Sequence, residues 1–246
     1  MRPEPAFAFN PDRSVAGLNA RYDGARAEEI LHAALRYHAG GIAVVSSFGA
    51  DSAVLLHMAA QINPHVPVLM VDTLMLFPQT LDYQRNLAAH LGLTDVRVIR
   101  HDAETLRRRD RFGALHLSDP DACCALRKVE PLDRALAGFS AHISGRKRFQ
   151  SGTRAAMPVF ETDAEGRLKV NPLADWDTAR IAAYLEDHAL PRHPLVAEGF
   201  PSIGCVPCTT RVRPGEDPRA GRWRGSEKTE CGIHFGPTGR VERSMA

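Results

Sequence analysis

Residues 41–60 read GIAVVSSFGADSAVLLHMAA. A short apolar, β-rich run ends in a Ser/Gly turn, and the turn opens a helix with Val54, Leu55, Met58 and Ala59 on one side. The unit recurs downstream: Val66 to Asp72 predicts a strand, Pro78 to Leu91 a helix opened by proline, and Val96 to Arg100 another strand. Short strands alternating with helices imply a parallel sheet covered on both faces, so the expected fold class is α/β.

Upstream, Ile30, Leu31, Ala34, Leu35 and His38 fall near helical spacing, predicting a helix from about Ala25 to His38 that Gly40-Gly41 stops. Residues 1–24, with Pro3, Pro5 and Pro11, lack sustained periodicity and read as an N-terminal extension that drapes or frays. Downstream, a helix is expected from about Asp121 to Leu136 and a strand at Ala141 to Ser144. A hairpin of Met157 to Thr162 with Leu168 to Asn171 follows. Asp175, with Asp177 behind it, is expected to cap a helix containing Trp176, Ile181, Tyr184 and Leu185. From Pro191 onward Pro, Gly and Arg dominate. The expected organisation is an extension (1–24), an α/β domain (25–210) and a mobile C-terminal segment (211–246).

A chain of 246 residues has room for one domain, or a domain plus a tail. Apolar residues at 44% and charged residues at 24% exclude a collagen, a coiled-coil rod and a fully disordered chain. No run approaches the ~18 apolar residues of a membrane span, and the acids and prolines of MRPEPAFAFNPDR replace the apolar stretch of a secretory signal. A cytoplasmic location is expected, with no membrane partner. The net charge of only +2 gives no field for nucleic acid, yet basic residues clump at Arg107 to Arg111, Arg146 to Arg154 and Arg211 to Arg224. Clumps of this kind favour local handling of an anion.

Three loops carry that expectation. Ser46-Ser47-Phe48-Gly49-Ala50-Asp51-Ser52 enters a helix N-terminus, where free N–H groups and the helix dipole bind anions; the bland alternative is an ordinary turn with Ser and Asp as caps. Neither the Walker loop nor the dinucleotide fingerprint is present. Asp72 and Thr73 end the next strand, where ligands bind in open α/β sheets, although both residues also suit a helix cap. Gly145-Arg146-Lys147-Arg148-Phe149-Gln150-Ser151-Gly152-Thr153-Arg154 follows a third strand, and its guanidinium groups suit phosphate or sulfate.

The five cysteines suggest metal binding or catalysis over disulfides. Cys123-Cys124 and the pair in Cys205-Val206-Pro207-Cys208 together offer four thiolates, and the spacing leaves an iron–sulfur cluster, a structural zinc and a redox dithiol all open. Cys231 is the spare, with Lys228 and His234 nearby in sequence; neighbouring cations favour a reactive thiolate, though a lone tail cysteine is more often inert.

Taken together, Cys123-Cys124-x-x-Arg127-Lys128-x-x-Pro131-Leu132, Ser202-Ile203-Gly204-Cys205-Val206-Pro207-Cys208-Thr209 and Glu230-Cys231-Gly232-Ile233-His234, in that order, resemble the adenosine 5′-phosphosulfate reductases of sulfate assimilation, relatives of the 3′-phosphoadenosine 5′-phosphosulfate reductases. The resemblance spans roughly Ser46 to His234. It implies an adenine nucleotide α-hydrolase-like fold related to the ATP pyrophosphatases, with one 4Fe-4S cluster on Cys123, Cys124, Cys205 and Cys208 and Cys231 as nucleophile. By the same resemblance Ser46, Ser47, Gly49, Asp51 and Ser52, with Asp72 and Thr73, would line the nucleotide site. Arg146, Arg148 and Arg154 would hold phosphate or ribose. Lys128, Arg219 and Arg222 would face the sulfate, with His234 near the nucleophile. Arg127, by contrast, reads as serving surface or helix pairing. Two departures stand out: Leu74 replaces a glycine common in the family after the Asp-Thr pair, and Phe149 stands where an acid is common.

The implied activity is thioredoxin-dependent reduction of adenosine 5′-phosphosulfate to sulfite and AMP through an S-sulfocysteine, in assimilatory sulfate reduction leading to cysteine biosynthesis. That is an oxidoreductase reaction on a sulfur group with a disulfide as acceptor. The sequence leaves the oligomeric state open between monomer and homo-oligomer. Two alternatives are a reductase of the 3′-phosphorylated substrate, whose enzymes usually lack the paired cysteines, and an ATP-dependent adenylating or thiolating enzyme with a zinc site. A non-catalytic nucleotide-binding regulator would leave Cys231 unexplained.

Overall fold

The computed structural model describes residues 14–226, 228 and 230. Six short strands make one sheet: β1 (Ile42–Val45), β2 (Val68–Val71), β3 (Val96–Ile99), β4 (Ala141–Ser144), β5 (Phe160–Thr162) and β6 (Leu168–Val170), in the spatial order β3-β2-β1-β4-β6-β5. All neighbours pair parallel except β5, which runs antiparallel to β6 at the edge. The expected α/β class and the hairpin are therefore observed. Strand order reverses between β1 and β4, and their register (Ile42 with Ala141, Val45 with Ser144) ends both strands level. The loops that follow them leave side by side, which is where open α/β sheets bind ligands.

Helices cover both faces. On one, α2 (Ala27–Tyr37) presents Ile30, Leu31, Ala34 and Leu35, and α3 (Ser52–Ile62) and α9 (Thr178–Asp187) add Val54, Leu55, Met58, Ile181 and Leu185 to a single large core. On the other, Leu132 and Leu136 of α8 (Glu130–Leu136) pack over Ala43 and Leu69. Each such side chain contributes about 1.5–3 kcal/mol by leaving water, which together anchors the strands whose ends carry the site. The helix α4 (Pro78–His90) begins at its proline as expected. The helices α5 (Ala103–Arg109) and α6 (Leu115–Ser118) fill the connection that follows β3.

Three details differ from the sequence reading. Part of the N-terminal extension is ordered: Ser14 caps α1 (Val15–Arg21), and Asn19 donates to the Phe160 carbonyl (2.8 Å) and accepts from its N–H (3.0 Å). Asn19 thereby covers the exposed edge of β5, a backbone that would otherwise invite pairing with another chain. The cap of α9 is Asp177, which accepts from Arg180 N (2.7 Å); Asp175 instead pairs with Arg148.

The third difference bears on the site. In place of one regular helix over 121–136, α7 (Pro120–Cys124) runs through a π turn (Ala125–Val129) into α8. Asp119 caps the start, and Glu130 N–H reaches back five residues to the Ala125 carbonyl. Pro131 has no N–H to give and its ring crowds the carbonyl four residues earlier, so a widened turn just before it relieves the clash. As a result Cys123, Cys124, Arg127 and Lys128 are all buried.

A pH dependence follows from His193, the residue before α10 (Pro194–Ala197). Its Nδ1 accepts from Leu195 N (3.2 Å) while Nε2 bonds Thr80 Oγ1 (3.0 Å) on α4, so the ring must be neutral there, and burial pushes its pKa down to about 4. The unfolded chain protonates first, near pH ~6.5, so this contribution to stability is complete above that value and is lost as pH falls towards about 4. Urea midpoints at about pH 7.5 and about pH 5 are expected to drop more for the unsubstituted protein than for His193→Gln.

Candidate functional site

The two loops at the strand reversal open on a cavity of about 390 Å³. After β1 the chain turns through Ser46-Ser47-Phe48-Gly49-Ala50-Asp51. Ser46 Oγ accepts from Phe48 N (3.1 Å), and Phe48, fully buried, takes a left-handed φ of +48° that swings the loop into the N-terminus of α3. Ser46, Ser47, Gly49, Asp51 and Ser52 all line the cavity. Asp51 makes no side-chain cap; its Oδ2 meets Lys147 Nζ at 2.8 Å from the opposite loop. Lys147 was not singled out as a site residue in the sequence, yet its side chain is only 3% exposed. Burial holds its pKa below the usual lysine range, with Asp51 opposing.

After β4, Arg146 and Arg154 turn inward and are buried, whereas Arg148 turns away to Asp175 and the Met157 carbonyl and does not line the cavity. Burial first, then the charge of Arg154, pulls the Arg146 pKa down to about 9, which leaves it charged at neutral pH. Among the described residues the lining holds seven basic side chains (Lys128, Arg146, Lys147, Arg154, Arg192, Arg219, Arg222) against the two acids Asp51 and Glu230. Crowded, partly desolvated cations repel one another, and an incoming anion relieves that repulsion. One wall is apolar, formed by Leu55, Leu76, Ile181 and Val196, a surface suited to the face of a heterocycle.

The cysteines stand just beyond. Cys123 and Cys124 on α7 face the Cys205-Val206-Pro207-Cys208 turn; the Cys123 pKa is pushed up to about 12, first by burial and then by Cys124, with Cys205 and Cys208 adding to it and Arg127 opposing. Burial and Cys205 raise Cys208, and Lys128, Arg222 and Lys228 act against that rise. Thr73 Oγ1 lies 3.2 Å from Cys205 Sγ, so Thr73 belongs to the cysteine side of the site and not to the cavity wall. Asp72 likewise lies off the cavity: its Oδ2 pairs with Arg100 (2.8 Å) and its Oδ1 accepts from Leu74 N (2.9 Å). Leu74 keeps a left-handed φ of +59°, the backbone a glycine would adopt freely, at a cost of about 1–2 kcal/mol. Among the described residues no three His, Cys, Asp or Glu side chains are drawn in to the spacing of a single bound metal ion.

Lys128 and Arg222 join the two halves. Lys128 lines the cavity while its charge acts on Cys208. Arg222 donates to the carbonyls of Ile203 (3.2 Å) and Cys208 (3.3 Å) and stacks on Trp223 at 4.3 Å. Its guanidinium lies against Gly204, where any added Cβ would overlap it. Arg219 lines the same end. Arg127 is not at the surface: buried, it pairs with Asp110 (2.8 Å) and donates to the Thr73 carbonyl (2.9 Å), tying the π turn to the end of β2. Cys231 and His234 lie outside the described residues. Their neighbour Glu230 lies within them, buried in the cavity wall.

No helix among the described residues is long and apolar enough to cross a membrane. Residues 41–211 match the phosphoadenosine phosphosulfate reductase domain. The adenosine 5′-phosphosulfate reductase of Mesorhizobium japonicum is 53% identical to this chain over 223 residues, 90% of this chain and 87% of that one. A phosphoadenosine 5′-phosphosulfate reductase of Gloeobacter violaceus is 38% identical over 238 residues, 95% of this chain and 98% of the relative. Among solved structures, the phosphoadenylyl-sulfate reductase of Candida auris in a phosphate complex aligns with a TM-score of 0.70 at 28% identity, covering 85% of this chain and all of the other.

Proposed function

The chain belongs to the phosphoadenosine phosphosulfate reductase domain family, and from that premise we propose that it reduces adenosine 5′-phosphosulfate to sulfite and AMP, with a thioredoxin-type dithiol as reductant. The observation that carries the reading is the convergence of Lys128, Arg219 and Arg222 on one cavity that is also lined by the loops after β1 and β4 and by Ser202 to Gly204, the residues leading into the cysteine turn.

The nucleotide enters with its phosphate towards the Ser46 to Ser52 loop and Arg146 and Arg154, and its base against the apolar wall. The sulfuryl group then faces Lys128, Arg219 and Arg222. Those cations screen its negative charge from an approaching thiolate and stabilise charge that develops on the departing phosphate oxygen. The Cys231 thiolate attacks sulfur, a sulfur–sulfur bond forms, the sulfur–oxygen bond breaks, and AMP leaves with that electron pair. A reductant thiolate next attacks Cys231 Sγ and expels sulfite. The reductant's second thiol resolves the mixed disulfide, returns Cys231 as thiol, and leaves the reductant oxidised.

The donor set of Cys123, Cys124, Cys205 and Cys208 fits a 4Fe-4S cluster. Buried thiols that raise one another's pKa need a cationic group to stay ionised, and thiolates on different irons do not require the spacing of a single-ion site. When bound, the cluster would supply charge and fixed position beside Lys128.

The deciding experiment is an anaerobic assay of sulfite and AMP release from adenosine 5′-phosphosulfate and from its 3′-phosphorylated form, with reduced thioredoxin. Faster turnover of the unphosphorylated substrate is expected; turnover of neither, or pyrophosphate release from ATP instead, would sink the reading. Adjacent residues of the π turn are expected to separate in their effects. Lys128→Ala should lower kcat/KM on the order of 10²-fold or more, since it removes charge from the sulfuryl end of the cavity. Arg127→Ala should cost about 3–5 kcal/mol of stability because Asp110 is left buried and unpaired. Kinetics on the first variant and urea midpoints on the second check this, and an unchanged kcat/KM in Lys128→Ala or a fully stable Arg127→Ala counts against it.

A further inference from the structure

Glu230 puts a carboxylate where the cavity otherwise gathers cations. Its side chain is 2% exposed; Oε2 accepts from Arg154 Nη2 at 2.6 Å, Oε1 accepts from Ser151 Oγ at 2.9 Å, and Arg219 Nη2 stands 3.9 Å away. Arg154 is braced in turn by Gln150 Oε1 (2.5 Å), so both partners come from one tightly turned stretch after β4. Burial opposes the charge on Glu230, yet its pKa is held below the usual carboxylate range by Arg154, Arg219 and Ser151. Two residues earlier, Lys228 pairs with Asp121 on α7, the helix that carries Cys123 and Cys124. The segment is thus tied at Lys228 to the cysteine helix and at Glu230 to the nucleotide loop. The peptide bond keeps the next Cα about 3.8 Å from that of Glu230.

We propose that Glu230 is a positioning residue: its ion pair with Arg154 and the hydrogen bond from Ser151 fasten the segment bearing Cys231 to the wall of the nucleotide cavity. This rests on the reading of Cys231 as nucleophile. Fastening Glu230 limits the positions open to the next residue, and where a thiolate must be brought to a sulfuryl group a misplacement of about 1 Å costs about 10²-fold in rate. The carboxylate also holds Arg154, which contacts the nucleotide in the same reading.

The test uses full-length, cluster-loaded protein without reductant, and reads the rate of the AMP burst from adenosine 5′-phosphosulfate alongside the Kd for AMP. Glu230→Ala is expected to slow the burst about 10²-fold with a much smaller loss of AMP affinity, the part that comes from loosening Arg154. Glu230→Gln should fall between, since it keeps the Ser151 hydrogen bond and loses the ion pair. If Glu230→Ala fails to fold or loses iron, the near-isosteric Gln variant decides. A burst at the unsubstituted rate or faster overturns the proposal, the faster case marking Glu230 as a mere competitor for the substrate's anion. A loss of AMP affinity equal to the loss of rate also overturns it, leaving Glu230 as a support for the loop. Absence of any burst in the unsubstituted protein defeats the underlying reading instead, and the inference with it.

Discussion

Cys231→Ser is expected to abolish sulfite release, by on the order of 10⁴-fold or more, while iron content and AMP affinity stay at the values of the unsubstituted protein. A serine hydroxyl is hardly ionised at neutral pH, and even an O-sulfonated serine would lack the divalent side-chain sulfur from which a thioredoxin thiolate expels sulfite. The nucleotide loops and the four paired cysteines lie elsewhere in the chain, so binding and colour should survive. With the unsubstituted protein and no reductant, about one equivalent of AMP per site should appear without free sulfite, the burst expected of covalent catalysis. Mass spectrometry should place a sulfonate on the peptide containing Glu230-Cys231-Gly232, and reduced thioredoxin should remove it. An active serine variant, or an adduct on another cysteine, would overturn the mechanism and leave the fold untouched.

The second large effect is expected at the cysteine pairs. Cys123→Ser and Cys205→Ser should each lose most of their iron and acid-labile sulfide, and activity should drop on the order of 10²-fold or more, beyond what is typical for residues that only support a ligand. The two variants probe opposite sides of the set. Cys123 sits on the helix leading into the π turn, whereas Cys205 bridges to Leu76 and touches Thr73 at the end of β2. Loss of metal therefore also removes a link between α7 and the loop after β2, and a lower unfolding midpoint should accompany the loss of colour. Full iron and sulfide in either variant would remove the cluster assignment.

The sheet was legible because buried parallel strands must be short, apolar and followed by helices. Ala141 to Ser144 and the helix opened by Pro78 show how little tertiary context such elements need. The cation loop shows the limit. In Arg146-Lys147-Arg148, backbone turns with no helical or strand period decide which side chains enter the cavity, so the charge run announced an anion site without saying that Arg148 leaves it and Lys147 is buried in it. Likewise Arg127 and Lys128 are adjacent cations in the sequence, and only the path of the π turn separates a structural pair with Asp110 from a lining residue. Glu230 stands in a motif whose cysteine carries the chemical signal, and its burial depends on Arg154, 76 positions away. Ser14, three residues ahead of Gly17, was the available sign of α1, a helix too short for its periodicity to register.

The π turn makes the number of residues a constraint separate from their identity. A backbone bond reaching five residues back spends one more residue on its turn than a regular helix does. Removing any one residue between Ala125 and Val129 would close that turn to the regular pitch and set the Pro131 ring against the carbonyl four residues before it. Because the widened turn absorbs that extra residue, the helix before it would keep roughly its facing, and the loss would fall inside the turn, which could no longer set Arg127 on Asp110 and Lys128 in the cavity wall together. In this stretch an exposed side chain such as Arg134 can be exchanged at small cost, but the count of residues between Ala125 and Pro131 cannot.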